Sequence, residues 1–269
     1  MYKAIVSDFD GTLASKDKTI SEENFKAIKR LVESGKMFAL STGRMTASAM
    51  MLLEKLPIKP LIATYNGGEI VNSQTGEVLI SHTLPSEYIL EFINFAREKG
   101  LYFQIFDDQV IVEEITKVTD FYCSICKVKP KAVGDLYLYV KENRATSPKF
   151  MVIDFSENLE NTIKELKEKF AHKVEIVRCE NGMIDITPKG VHKGSALSDL
   201  CKIWGISESE CIGIGDEEND VEMFKTAGLG VAMKNAREKV REQADFVTQN
   251  DNENSGVAEI INTFLLGEI

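Results

Sequence analysis

The stretch Lys3–Leu13 constrains this chain more than any other, because it joins an apolar run to a cluster of polar side chains. The run from Ala4 to Val6 predicts a buried strand. Asp8 and Asp10 follow it, and residues two apart on a strand share a face, so both carboxylates point into one site if the extended conformation continues. In a parallel α/β sheet this end of a central strand binds ligands, and oxygen ligands there favour Mg²⁺. A solvated turn without a ligand is the alternative interpretation.

Composition narrows the possible classes of protein. With 269 residues, 43% of them hydrophobic and 28% charged, the chain is typical of a globular protein of one or two domains. No apolar run approaches the ~20 residues that a membrane span needs, and the N-terminus lacks a signal-peptide pattern. Five cysteines without a disulfide framework indicate a reducing compartment, so we expect a cytoplasmic protein. No motif indicates an oligomeric state.

The net charge of −10 argues against a nucleic-acid partner, which would need a basic surface. The same charge means that an anionic substrate is not attracted by the protein as a whole. If the substrate is anionic, local cations must therefore hold it.

A second polar cluster follows the next predicted strand. Ser21–Gly35 has a capping residue and apolar side chains at helical spacing, and Met37–Leu40 is the strand after it. This strand leads into the sequence STGR at 41–44, in which Thr42, Gly43 and Arg44 can form a cradle for an oxyanion. A simple turn in which Thr42 caps a helix explains the same residues equally well.

The pattern then continues as further strands and helices. Ala47–Leu56 predicts a helix, Leu61–Tyr65 a strand, and Asn66–Gly68 a turn. Two short runs, Glu69–Val71 and Val78–Ile80, predict a hairpin. The order β-α-β-α-β predicts a parallel sheet.

From Pro85 to Gly190 the pattern changes to that of an inserted α+β domain, bracketed by helix and strand breakers. The predicted helices are Glu87–Lys99 and Leu159–Phe170. The predicted strands are Tyr102–Phe106, Val110–Glu113, Leu136–Val140, Phe150–Asp154, Val174–Val177 and Met183–Ile186. The pair Cys123 and Cys126 matches C-x-x-C, but without further ligands we interpret both as packed side chains beside Phe121, Tyr122 and Ile125.

After Gly190 the alternation of strands and helices returns. Lys193 begins a predicted helix that ends near Trp204, and a cation in the first turn opposes the helix dipole unless an anion lies beside it. A solvated lysine is the alternative. Cys211–Gly215 predicts a strand that leads into Asp216-Glu-Glu-Asn-Asp220, where crowded carboxylates need a cation or hydrogen bonds. Helix capping by Asp216 or Asn219 accounts for one such residue but not for the cluster. Later segments predict strands at Leu229–Met233 and Asp245–Thr248 and a helix at Gly256–Leu266.

Four motifs now stand in one order: DFDGTL at 8–13, STGR at 41–44, HKGSAL at 192–197 and GDEEND at 215–220. Together they resemble the haloacid dehalogenase (HAD) phosphatase superfamily, and the large insert is similar to that of its Cof-like sugar-phosphatase branch. The resemblance implies a Rossmann-like parallel-sheet core at 1–82 and 189–269, with an α+β cap domain inserted at 83–188. Glu217 and His192 depart from the commonest family sequence without touching an expected ligand.

The resemblance also implies roles for individual residues. Asp8 would be the nucleophile and Asp10 the general acid and base. Mg²⁺ would be bound by the Asp8 carboxylate, the Asp10 main-chain carbonyl and Asp216, with Asp220 behind them. The residues expected to hold the phosphate are Phe9 through its backbone, Thr42, Gly43, Lys193 and Asn219.

These observations predict a Mg²⁺-dependent phosphatase that acts on a small phosphorylated metabolite, with a sugar phosphate as the expected substrate. A phosphosugar mutase and a catalytically silent sugar-phosphate sensor are the alternatives. Polarity alone suggests that the insert recognises the leaving group through Tyr102, Gln104, Arg144 or Lys149.

Overall fold

The computed structural model describes residues 2–54, 56–179 and 182–267. They form two compact units. Unit 1 comprises the described residues of Met1–Gly43, Ala49–Ile80 and His192–Ile269, and unit 2 comprises those of Arg44–Ser48 and Ser81–Val191.

The strands of the described residues agree in most places with the sequence prediction. In chain order they are β1 Ala4–Ser7, β2 Met37–Ser41, β3 Leu61–Thr64, β4 Glu69–Asn72, β5 Val78–Ser81, β6 Tyr102–Phe106, β7 Val110–Val112, β8 Pro130–Ala132, β9 Phe150–Ile153, β10 Val174–Arg178, β11 Met183–Pro188, β12 Cys211–Gly215, β13 Leu229–Ala232 and β14 Phe246–Val247.

The α-helices alternate with these strands. In chain order they are α1 Glu22–Glu33, α2 Thr46–Leu53, α3 Ser86–Lys99, α4 Lys117–Cys126, α5 Leu136–Asn143, α6 Leu159–Phe170, α7 Lys193–Trp204, α8 Val221–Thr226, α9 Glu238–Arg241 and α10 Gly256–Ile260. A π-helical segment, Ile261–Leu266, continues α10, and short 3₁₀ turns occupy Tyr65–Gly67, Glu208–Glu210, Glu218–Asp220 and Asn252–Asn254. Lys55, inside the predicted helix Ala47–Leu56, lies outside the described residues.

Unit 1 is built on a sheet in the order β14-β13-β12-β1-β2-β3-β4-β5. The strands from β14 to β3 run parallel, and β4 pairs antiparallel with β3. Ile5 in β1 lies opposite Ile212 in β12 and Phe38 in β2. The residues that follow these three strands therefore emerge side by side at one edge of the sheet.

Both faces of this sheet are covered, as continuous apolar runs in parallel strands require. Ile5 packs in one core with Ile28 of α1 and Val257 of α10. Val6, which points to the opposite face, packs in a second core with Leu197 of α7. The α/β prediction with a Rossmann-like parallel sheet is thus confirmed for unit 1.

Unit 2 contains a sheet in the order β10-β11-β9-β6-β7-β8, in which every pair except β7–β8 is antiparallel. One face packs against helices through aromatic side chains. Phe92 of α3 contacts Phe150 of β9 and Phe170 of α6, with ring centroids 5.4 and 4.8 Å apart. This apolar face explains why the helices α3 and α6 were predictable from their spacing.

The prediction of a strand at Leu136–Val140 is wrong, because the segment is the helix α5. Its sequence alternates leucine and tyrosine, which favours a strand by period. Asp135, however, caps the helix by accepting a hydrogen bond from Leu138 N at 3.1 Å, and Leu136 and Val140 are buried on one helical face. The cap and the buried pair outweigh local alternation.

Helix α4 was absent from the prediction. Thr116 begins it with a capping box formed with Thr119, and the buried Tyr122, Cys123 and Cys126 follow at helical spacing. The two thiols are thus packed side chains, as expected from the sequence. Phe121 and Ile125 are more than one-third exposed, and Phe121 packs edge-on against Phe155.

Within the described residues, no helix combines the length and the apolar character that crossing a bilayer requires.

Candidate active site

The site begins where β1 ends. The strand is fully buried and stops at Ser7, and the next residue, Asp8, donates its backbone N–H to Ile214 O of β12 at 2.9 Å. This bond joins Asp8, at the end of β1, to the end of the neighbouring parallel strand β12. The residue is only 6% exposed, so the carboxylate lies in a protein environment of low polarity.

Lys193 reaches this carboxylate from the first turn of α7. Its side chain is fully buried, and Nζ lies 2.6 Å from Asp8 Oδ1 and 2.6 Å from Asp220 Oδ1. His192 caps the helix through Nδ1, which accepts the Ser195 N–H at 3.2 Å. The alternative of a solvated lysine is therefore wrong, and the anions beside this helix start are two carboxylates of the chain itself.

The acidic segment after β12 supplies the rest of the cluster. Asp220 Oδ2 accepts the backbone N–H groups of Asp216 and Glu217, each at 3.0 Å. Asp216 Oδ1 accepts the Thr12 hydroxyl at 2.8 Å. Asp220 is therefore committed to organising the loop, whereas Asp216 faces the segment that follows Asp8.

The electrostatics of the cluster show an excess of negative charge. Burial raises the pKa of Asp8 to about 7, because desolvation and the nearby carboxylates outweigh the attraction of Lys193. Burial and the charge of Asp8 likewise raise the pKa of Asp216 to about 8. Burial alone would lower the pKa of Lys193, but Asp220 and Asp8 raise it above its ordinary value, so the lysine is charged.

The residues present fit a divalent cation. Asp8, Asp216 and Asp220 each offer a carboxylate oxygen, and these atoms lie within 4.8 Å of one another. Gly11 has φ +80°, and a Cβ there would lie 2.4 Å from Asp216 Oδ2, so only glycine keeps this position open. A buried set of oxygen ligands with uncompensated negative charge suits Mg²⁺.

Asp10 is placed differently from Asp8. The extended conformation does not continue beyond Ser7, and Asp10 lies in a turn with its side chain 32% exposed and 2.7 Å from Lys18 Nζ. Its carboxylate is outside the cluster of three, although its charge contributes to the raised pKa of Asp8. The prediction that both carboxylates share one strand face is wrong because the strand ends too early.

The predicted phosphate-binding residues lie at the same edge of the sheet. Thr42 follows β2, is buried, and donates its N–H to Ala63 O at 2.9 Å. Asn219 Nδ2 donates to Asn66 Oδ1 at 3.0 Å. A Cβ on Gly43 would lie 3.0 Å from the same Asn66 oxygen, so Asn66 connects two segments that are far apart in the sequence.

Comparison with known proteins agrees with this geometry. The family model of haloacid dehalogenase-like hydrolases matches residues 5–261. The chain belongs to this family. A 5-amino-6-(5-phospho-D-ribitylamino)uracil phosphatase of Bacillus subtilis, YwtE, is 32% identical, and the alignment covers 99% of each chain. A haloacid dehalogenase-like hydrolase from Bacteroides thetaiotaomicron has a similar structure, with a TM-score of 0.85, 31% identity and coverage of 98% of this chain and 100% of that one.

A more distant relative is an HMP-PP phosphatase of Serratia proteamaculans, 27% identical over 88% of this chain and 85% of its own. The resemblance derived from the four motifs is thus confirmed, and this HAD-like hydrolase is an enzyme of the phosphatase type.

Sequence reasoning missed two contacts of this HAD-like site. The sequence places Asn66 in a turn, but it does not show that the side chain contacts Asn219. Lys18 was not singled out, yet it pairs with Asp10. An asparagine before glycine does signal a left-handed backbone, but nothing local indicates what its side chain contacts.

Proposed function

We propose that this HAD-like hydrolase is a Mg²⁺-dependent phosphatase that hydrolyses a small phosphorylated metabolite through an aspartyl phosphate on Asp8. The observation that carries the proposal is the buried cluster in which one lysine, Lys193, lies 2.6 Å from two carboxylates while a third completes the group. A purely structural site would balance these charges. Here three carboxylates accompany one ammonium group, and the excess negative charge favours a bound cation.

The proposed roles follow the family. Mg²⁺ would be held by the Asp8 carboxylate, the Asp10 main-chain carbonyl and Asp216, with Asp220 supporting them. When bound, it would neutralise charge on the phosphate and on the attacking carboxylate. The phosphate would be held by the Phe9 backbone, Thr42, Gly43, Lys193 and Asn219, which fix its oxygens for in-line attack.

The chain's own residues then supply two steps. Asp8 attacks phosphorus, the bond to the leaving oxygen breaks, and Asp10 gives that oxygen its proton. Water next attacks phosphorus, its proton passes to Asp10, and the bond to Asp8 breaks to release phosphate. The partial exposure of Asp10 allows it to exchange protons with both the alcohol and water.

A phosphate ester of a sugar or sugar alcohol is the substrate class that we propose. The name of the Bacillus relative contains a phosphorylated ribityl group, which belongs to this class. The assignment of residues 83–188 as a cap that selects the leaving group stays a prediction, and of the four candidates Tyr102, Gln104, Arg144 and Lys149 the structure buries Gln104 and Lys149. The five free thiols support the further proposal of a cytoplasmic setting.

Phosphate release from sugar phosphates, sugar-alcohol phosphates and nucleotides, with Mg²⁺ and with excess chelator, tests the proposal. We expect Mg²⁺-dependent release that is fastest with a sugar or sugar-alcohol phosphate. Acid quenching during turnover, followed by borohydride reduction and mass spectrometry, should find the modified residue at position 8.

Three outcomes would contradict the proposal. Full activity in excess chelator would show that the reaction does not need Mg²⁺. Efficient transfer to a second sugar hydroxyl with little free phosphate would indicate a mutase. Tight binding of a sugar phosphate without turnover would indicate a sensor.

A further inference from the structure

The turn Tyr65–Gly67 has a backbone that few sequences adopt. Tyr65 and Asn66 are consecutive non-glycine residues in the left-handed region, with φ of 53° and 58°, and Gly67 follows with φ of 106°. Tyr65 and Asn66 are also buried, so the conformation is imposed by surrounding structure. Such conformations are costly and concentrate at functional sites.

This turn packs against the elements that carry the phosphate-binding residues. Asn66 N donates to Thr42 O at 3.0 Å, which ties the turn to the end of β2. A Cβ on Gly67 would lie 2.8 Å from His192 O, so the turn lies directly against the residue before Lys193. The third contact is the hydrogen bond from Asn219 Nδ2 to Asn66 Oδ1.

The hydrogen bond between Asn219 and Asn66 determines which end of the Asn219 amide faces Asn66. An asparagine amide has nearly the same shape in either orientation, but one end donates and the other accepts. In the structure the Asn66 oxygen accepts this hydrogen bond, which places the nitrogen of Asn219 on its side. Among the described residues, Asn219 Oδ1 is buried and accepts no hydrogen bond. The hydrogen bond from Asn219 Nδ2 to Asn66 is therefore the contact that favours this orientation of the amide.

We infer that Asn66 is a positioning residue for phosphate: it keeps the NH₂ group of Asn219 turned so that its second N–H can donate to a phosphate oxygen. The inference rests on the proposed function, because it assigns Asn219 to the phosphate. Without Asn66 the amide loses the partner that fixes its orientation, and when it reverses, its hydrogen bond to the phosphate is lost and its oxygen repels the phosphate.

Asn66→Gly separates the side chain from the backbone. Glycine adopts a positive φ without strain, so the fold and the turn are retained while the amide is lost. We expect the affinity for orthophosphate, measured as competitive inhibition of p-nitrophenyl phosphate hydrolysis, to fall about tenfold to hundredfold, as for a hydrogen bond to a charged group. KM should rise by a similar factor, with a smaller change in kcat. The matched control is Lys127→Gly, which replaces another left-handed residue, on the exposed end of α4, and should change neither constant.

A double-mutant cycle with Asn219→Ala completes the test. If Asn66 acts through Asn219, Asn66→Gly should add less than about a further twofold loss in the Asn219→Ala protein. Equal losses in both backgrounds, or unchanged phosphate affinity in Asn66→Gly, would overturn the inference. Wild-type protein that neither turns over a phosphate ester nor binds orthophosphate would instead overturn the proposed function, and the inference with it.

Discussion

Two lysines are buried to the same extent, one in each unit. Lys193 in unit 1 and Lys149 in unit 2 each expose 1% of their surface. Lys149 Nζ lies 3.0 Å from Asp185 Oδ2 and 5.0 Å from the centre of the Phe106 ring. One carboxylate and one ammonium form this ion pair, and the aromatic ring adds a favourable surface for the cation.

The surroundings of Lys193 have a different charge balance. It contacts Asp8 and Asp220, and Asp216 completes a group of three carboxylates around one ammonium. The raised pKa values of Asp8 and Asp216 show that the ionised state of this group is unfavourable in the protein alone. The charges around Lys149 match, as in a structural ion pair, whereas those around Lys193 do not, as the proposed metal site requires.

The largest expected effect is on catalysis at the cluster around Lys193, in which three carboxylates accompany one ammonium group. Asp8→Asn should lower kcat by about 10⁴-fold or more, because it removes the nucleophile at almost constant shape. The same change should leave thermal stability in chelator unchanged or raised, since it deletes one of three crowded carboxylates. Steady-state kinetics measures the expected change in kcat, and thermal unfolding measures the expected change in stability. Near-native turnover would rule out Asp8 as the nucleophile.

The Lys149–Asp185 pair, in which the charges match, should respond in the opposite way, with a change in stability and not in turnover. Lys149→Met leaves Asp185 buried without its ammonium, and breaking such a pair costs about 3–5 kcal/mol. Urea denaturation should therefore show a large loss of stability. The double variant Lys149→Met/Asp185→Leu should recover most of it, because no buried charge remains. If Lys149→Met instead leaves the fold intact and raises KM alone, Lys149 belongs to substrate recognition, as its polarity first suggested.

A smaller effect concerns pH and Mg²⁺. The pKa values of Asp8 and Asp216 are raised from 3.8 to about 7 and about 8, so protonation of these groups favours the folded state. This contribution is present in full below pH 3.8 and is lost as pH rises through 7 to 8. The metal-free protein should therefore lose stability as pH rises from about 4 to about 8, and Mg²⁺, which binds the ionised carboxylates, should stabilise it more at the higher pH.

Thermal unfolding at several pH values, with Mg²⁺ and with chelator, measures this difference. Ca²⁺ should also stabilise the protein but not support turnover, because its larger coordination number competes for the attacking oxygen of Asp8. A Mg²⁺-induced shift that is the same at every pH would show that these carboxylates are not its ligands.

The smallest effect tests a helix of unit 2 near the balanced pair. Tyr122 of α4 packs on Phe106, with ring centroids 5.9 Å apart, and Phe106 lies beside Lys149. Thr116→Ala removes the cap of α4 and should cost about 1 kcal/mol, whereas Thr116→Ser keeps the hydroxyl and should cost much less. Hydrogen exchange of the amides in Lys117–Cys126 checks this locally, and equal protection in both variants would mean that the cap is unimportant.

Much of unit 1 was predictable because each of its parallel strands is a short apolar run followed by polar residues. The strand Cys211–Gly215 and the helix Lys193–Trp204 have the predicted bounds. In unit 2, α3 and α6 were predictable from their apolar spacing. Helix α5 was not, since its leucines and tyrosines also suit a strand, and its cap at Asp135 decides the outcome.

The sequence by itself determined the α/β class, the order of the four motifs and, through them, the family. It did so because the four motifs lie in short segments at strand ends and at a helix start, where local pattern is informative. Only the tertiary structure decided which of these residues meet. It brought Asp8, Asp216, Asp220 and Lys193 together, and it placed the Asp10 carboxylate beside Lys18. It also joined Asn66 to Asn219, residues 153 positions apart. Such contacts depend on the register of neighbouring parallel strands, which no local pattern encodes.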